Sequence, residues 1–136
     1  MTLSELWGTG GRATLITIKR DGRPQLSVVA YAFDPGTETI RISTTDDRVK
    51  TRNLRRDPRA SIYRAAANLS VYQVAEGTAT LSPVAADPND ATVEELNDVY
   101  RTIAGEHPDW DDFRRAMVAD KRLVVRVAVE RTYGTA

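Results

Sequence analysis

Five arginines stand at a spacing that puts them together. Arg48, Arg52, Arg55, Arg56 and Arg59 fall at i, i+4, i+7, i+8 and i+11, one face of a helix. Lys50, Asn53, Leu54 and Asp57 share a neighbouring face, so Leu54 is expected in the core and Lys50 beside it. An amine held against a packed face needs an anion or an acceptor close by. Just upstream, Ser43-Thr44-Thr45 ends an apolar alternating run where that helix begins. Hydroxyls and free backbone N–H groups at such a junction suit an anion, although Asp46 and Asp47 add negative charge there and are expected to cap the helix. A third candidate is Tyr72, which shares a strand face with Ser70 and offers a ring with a polar tip.

Other chemistries are poorly supplied. The 136 residues contain no cysteine and one histidine, His107, which excludes thiolate chemistry and a multi-histidine metal site within one chain. His107 lies in a Gly-Glu-His-Pro segment and reads as a loop anchor; no Gly-x-Ser-x-Gly elbow occurs. Gly8, Gly10 and Gly11 precede a strand, whereas a dinucleotide fingerprint follows one. Lys+Arg and Asp+Glu balance at 19 each, but the basic set is 16 Arg to 3 Lys. Arginine is the residue for planar, bidentate recognition of phosphate and carboxylate. Charge is also segregated: Arg48 to Arg64 carries net +6, and Val84 to Asp120 carries net −7. The zero total therefore hides a focused field.

The elements that must position these groups follow from periodicity and turn chemistry. Thr2 to Trp7 reads as one helical turn, with Thr2 and Glu5 spaced as a capping box and the glycines at 8, 10 and 11 ending it. Strands are expected at 13–19, 25–33, 39–45, 59–64, 69–81 (bent at Gly77) and 122–130. Helices are expected at 46–57, at 92–104 behind a Thr92–Glu95 capping box, and at 110–119. Antiparallel strands with helices inserted between them, rather than alternating with them, predict a mainly β protein: a single domain, 1–136, built as a small antiparallel barrel with helical insertions. The start of the chain has no signal-peptide pattern and no segment reaches the ~20 apolar residues of a membrane span, so a cytoplasmic protein without a membrane partner is expected.

Four longer motifs, taken with those residues, resemble one family. They are Asp21-Gly22-Arg23-Pro24-Gln25-Leu26-Ser27, the run from Arg48 to Pro58, Ala75-Glu76-Gly77-Thr78-Ala79, and Ile103 to Trp110. In order and content they resemble the pyridoxamine-phosphate-oxidase-like split β-barrels, a Greek-key, FMN-binding-like fold. Within that family they look most like the branch that uses coenzyme F420, a deazaflavin with a phospholactyl-oligoglutamate tail. The resemblance implies a homodimeric oxidoreductase that passes hydride to a small organic acceptor such as an enone or activated alkene. It implies that Ser43, Thr44, Arg48 and Lys50 hold the cofactor phosphate, and that Gln25, Val28 and Val29 run under the ring. It further implies that Arg55 and Arg56 meet the acidic tail, and that Ser70, Tyr72 and Gln73 reach the cofactor of the other subunit. Tyr72 or a water is then the expected proton source. Val28 and Ser70 depart from the branch, which often has a polar residue and an aromatic there. FMN in the same fold is the alternative cofactor, and a non-catalytic cofactor-binding module is the alternative role. Nucleic acid is not expected, since no aromatic interleaves the arginines between Arg48 and Arg59.

Overall fold

The computed structural model describes residues 3–135. Six strands and four helices follow in the order α1 (Leu3–Trp7), β1 (Gly10–Ile18), β2 (Pro24–Asp34), β3 (Thr39–Thr45), α2 (Val49–Arg56), β4 (Arg59–Ala65), β5 (Tyr72–Leu81), α3 (Ala91–Ala104), α4 (Trp110–Ala119) and β6 (Arg122–Gly134). The strands close into one antiparallel barrel in the order β1-β2-β3-β6-β5-β4. The expected mainly β barrel with helical insertions is therefore the fold, and the protein is a split barrel of the kind the motifs implied.

Alternation decides what each strand buries. Leu15, Ile40, Ile42, Ile62 and Val127 point inward and are fully buried. The lumen of so small a barrel is filled by side chains and holds no channel. Trp7 of α1 joins this core; its Nε1 donates to Gln73 Oε1 at 2.6 Å, and Tyr31 Oη donates to the Trp7 carbonyl at 2.6 Å. Leu54 of α2 enters the same core, as its spacing predicts. A second cluster lies outside the barrel, where Val93, Leu96 and Val99 of α3 and Met117 of α4 cover Ala32 of β2 and Val124 of β6.

Several boundaries differ from the sequence reading, each for a local reason. Gly10 and Gly11 belong to β1, and Gly8 alone, at φ +61°, ends α1. Thr2, the first half of the expected capping box, lies outside the described residues. The strand expected from Leu69 starts at Tyr72, because Leu69 N bonds the Ala66 carbonyl and Ala66 N bonds the Val71 carbonyl, a tight turn with Leu69 at φ 63°. β6 runs on to Gly134 because its end pairs with the start of β5, Gln73 against Gly134. The cap of α3 is Asp90, whose carboxylate accepts from Val93 N at 2.8 Å; Thr92 instead donates to the Pro83 carbonyl.

The expected bend at Gly77 is a register shift between Glu76 and Gly77 opposite β6. A Cβ on Gly77 would lie 2.1 Å from the Ala128 carbonyl oxygen, a backbone atom that cannot swing aside. Gly77→Ala is expected to cost about 2–3 kcal/mol through overpacking. That is a loss of roughly 6–12 °C in Tm, to be read by thermal denaturation; a variant melting with the wild type would mean the bulge relaxes freely.

Candidate functional site

The site starts at the end of β3. Ile40, Ile42 and Thr44 point into the barrel, so Arg41, Ser43 and Thr45 point out. Thr44 and Thr51 share a buried hydrogen bond, Oγ1 to Oγ1 at 3.1 Å, and Thr51 Oγ1 donates to the Thr45 carbonyl at 2.8 Å. These bonds fasten the first turn of α2 to the last residues of β3. Arg48 is the N-cap residue and makes no side-chain cap bond. Neither Asp46 nor Asp47 caps the helix, contrary to the sequence reading: Asp46 pairs with Arg55 at 2.6 Å, and Asp47 accepts from Thr45 Oγ1 at 2.7 Å. The Thr45 bond, with Arg48 and Arg52 near, holds the Asp47 carboxyl below the usual carboxylate range.

Beside this junction runs a groove of about 440 Å³. One wall is the outer face of β2, Val28 to Ala30; the other is α3 and α4, chiefly Leu96, Tyr100, Ile103 and Phe113. Ser43, Lys50 and Arg122 gather at its polar end. Arg122 opposes Thr45 in the β3–β6 ladder, which places it on the same outer face as Ser43. A second groove of about 580 Å³ continues past Arg122, lined also by Thr45, Asp47, Arg48, Val49 and Asp120.

Three cations thus converge at the junction of two grooves. None of Arg48, Lys50 and Arg122 makes an ion pair among the described residues. Burial lowers the Lys50 pKa from its ordinary 10.5, and the Arg48 and Arg122 guanidiniums lower it further. Arg122 Nε is buried without a hydrogen-bond partner; among the described side chains only Ser27 Oγ shares that condition. A buried unsatisfied donor calls for a partner. An anion at the junction would satisfy Arg122 and relieve the crowding of like charge.

The predicted residues divide. Val28, Val29, Ser43 and Lys50 line the first groove and Arg48 the second. Thr44 turns its side chain into the barrel and serves the β3–α2 junction. Gln25 is tied to Thr17, whose Oγ1 donates to its Oε1 at 3.2 Å and in turn accepts from Asn53 Nδ2. Gln73 is buried against Trp7. Ser70 Oγ bonds Asn68, and the Tyr72 ring packs on Tyr63 at 5.8 Å; neither lines either of these two grooves.

The arginine stripe needs the largest correction. Arg59 lies in β4 and pairs with Asp57 at 2.7 Å, Arg55 pairs with Asp46, and Arg52 donates to the Asp47 carbonyl at 3.1 Å. Arg56 is committed to the Ile18 carbonyl and Asn53 Oδ1. Four of the five are engaged locally, which is how the helix tolerates them.

Sequence reasoning missed Arg122 and the α3–α4 wall. Arg122 opens an ordinary-looking strand, and only closure of the barrel sets it opposite Thr45. The wall is braced by a ring cluster in which His107 lies 5.1 Å from Tyr100 and 5.2 Å from Phe113. Asp109 N donates to His107 Nδ1 at 2.9 Å, so the anchoring role expected of His107 is the one it has.

The sequence profile of the pyridoxamine 5'-phosphate oxidase family matches residues 4–136. Among solved structures, one described as an F420 reductase is 24% identical, covers 98% of this chain and 97% of its own, and superposes with a TM-score of 0.72. A conserved hypothetical protein from Mycobacterium tuberculosis is 27% identical over 99% of this chain and 84% of its own, with a TM-score of 0.75. A heme binding protein from Mycobacterium smegmatis is 18% identical over 95% of this chain and 50% of its own, with a TM-score of 0.67.

Lys50→Met removes a cation that the ligand-free fold holds at a cost. Its lowered pKa means that the unfolded chain keeps this proton to higher pH than the native state. The cost is therefore full below the native pKa and fades as pH climbs toward 10.5. Thermal melts should find the variant at or above wild type at pH 7, with that advantage shrinking toward pH 10. A variant melting well below wild type at pH 7 would mean that Lys50 is a structural cation.

Proposed function

The chain belongs to the pyridoxamine 5'-phosphate oxidase family, and we propose that it is an oxidoreductase that binds the deazaflavin F420 in the groove between β2 and α3–α4. The observation that carries this reading is the trio of Arg48, Lys50 and Arg122, without an anionic partner, at the polar end of an apolar groove. A ring cofactor with an anionic handle needs both parts. The residues present fit such a handle: an ammonium, a hydroxyl and a forked guanidinium converge on one place, and one buried donor there is unsatisfied.

Each residue then has a task. Lys50, Ser43 and Arg122 seat the phosphate. Val28 and Ala30 support one side of the ring, and Leu96, Val99 and Ile103 exclude water from the other. When bound, the deazaflavin supplies hydride to a small organic acceptor such as an enone or activated alkene. Arg48 holds positive potential at the entrance to the second groove.

The groove is open along Val28, which is 68% exposed and also lines it. Val28 begins a row across the outer face of the barrel: Thr14 on β1, Tyr63 on β4, Val74 on β5 and Tyr133 on β6 stand in register with it. Leu26 beside it is 60% exposed. Exposed Leu26 and Val28 at the open side of the groove support the reading of a homodimer in which the second copy completes the site. Ser70 and Tyr72 then reach the cofactor from the partner subunit, with Tyr72 as a proton source. FMN is the alternative cofactor. It is favoured by the local pairing of Arg55 and Arg56, since FMN ends at its phosphate and has no acidic tail to meet them.

Fluorescence titration with F420 and with FMN decides between the two. We expect F420 to bind more tightly, and Lys50→Ala to weaken it about 10- to 100-fold, the loss of one charge-assisted contact. An unchanged dissociation constant in Lys50→Ala would overturn the phosphate assignment. Val28→Asp is expected to give a monomer by light scattering and to lose cofactor in the same preparation. A monomer that binds cofactor as wild type does would show that one chain makes the whole site.

A further inference from the structure

Arg122 sits where the two grooves meet and is the residue that their linings share. Its Nε has no partner, and no carboxylate neutralises it. The exit from the junction has a different character. Asp47 and Asp120 line the second groove opposite Arg48, so this passage is of mixed sign. Beyond it, along α2, Arg52 is bonded to the Asp47 carbonyl, Arg55 to Asp46 and Arg56 to Ile18 and Asn53. Cationic side chains without a hydrogen-bond or ion-pair partner among the described residues are thus gathered at the junction, whereas Arg52, Arg55 and Arg56 along α2 have their donors engaged.

We propose that Arg122 is the anchoring residue of the cofactor site, seating the phosphate with Lys50 at the junction of the two grooves, and that the arm beyond the phosphate contributes little to affinity. The inference rests on the reading of the groove as a cofactor site and adds where its affinity resides. A planar fork presents two parallel N–H groups to two oxygens of a phosphate, whereas an ammonium acts as a point charge without that fixed geometry. A junction open on both sides admits a phosphodiester, with the ring in one groove and the arm in the other. Asp47 and Asp120 oppose a chain of carboxylates in that second groove and offset what Arg48 gives it. The expected behaviour is near-indifference to the number of glutamates on the tail.

The test uses the full chain and three probes. These are F420 with a short tail, F420 with a long tail, and the deazaflavin nucleoside that lacks the phosphodiester. Dissociation constants come from fluorescence titration, with thermal melts confirming that each variant is folded. For wild type, lengthening the tail should change the constant less than about threefold, while removing the phosphodiester weakens it about 100-fold or more. Arg122→Gln should weaken both F420 forms about 10- to 100-fold. Arg122→Lys, which keeps the charge and loses the fork, should fall between, and Arg55→Gln should bind as wild type. Asp47→Asn with Asp120→Asn should introduce a preference for the long tail. The proposal is overturned if both Arg122 variants bind as wild type, or if the long tail tightens wild-type binding tenfold or more. Should the protein take FMN and refuse F420, the deazaflavin reading fails on its own, and FMN against riboflavin in Arg122→Gln still decides the anchor. Refusal of both cofactors by wild type overturns both.

Discussion

The buried hydroxyl pair of Thr44 and Thr51 is the contact on which the site depends. It joins the last inward-facing residue of β3 to the first turn of α2, and Thr51 also satisfies the Thr45 carbonyl. A buried hydroxyl without a partner is costly, so the pair fixes the angle at which the helix leaves the strand. That angle brings Lys50 over the outer face of β3 beside Ser43, while Leu54, one turn later, enters the barrel core. Asn53 extends the arrangement to β1 and β2 through Thr17 and Gln25. The residues that touch a ligand in the proposed reading are thereby held by residues that do not.

Charge explains which cations are available. The acidic stretch from Val84 to Asp120 is largely consumed by partners within the fold: Glu95 by Arg41 and Arg126, Asp98 by Arg41, Glu94 by Arg114 and Glu106 by Arg101. On α2, Arg55 pairs with Asp46, while Arg52 and Arg56 spend their donors on carbonyl and amide oxygens and keep their charge. Exposed pairs of this kind add little stability, but they cancel field. What sets Arg48, Lys50 and Arg122 apart is that three cations with no ion pair among the described residues line adjoining grooves.

This is also why the sequence was legible in part. Strand and helix positions followed from alternation and from turn residues, and β3 and α4 fell where periodicity put them. Ser43 and Lys50 were legible because a hydroxyl run before an amphipathic helix is a local pattern. The inward turn of Thr44 follows from the same alternation, since it shares the parity of Ile40 and Ile42. The arginine stripe misled because spacing reports which side chains share a face and is silent on what a carboxylate just before the helix does to them. Arg122 lies 77 positions after Thr45 in the chain and opposes it only once the barrel closes. No local pattern carries such information.

Barrel closure settles one more matter, namely where any site must be. With the lumen packed by Leu15, Ile40, Ile42, Ile62 and Val127, no ligand can enter, and function is confined to the outer surface. Inserting α3 and α4 between β5 and β6 gives that surface one wall. The turn into α2 gives it a charged end. Nothing in the chain's order supplies a wall along Val28, where β2 turns its apolar outer residues to solvent. In the proposed reading, a groove with two walls and a charged end leaves the ring open along Val28. Enclosing the remainder with a second copy requires no further element, since Leu26 and Val28 already stand exposed along the open side.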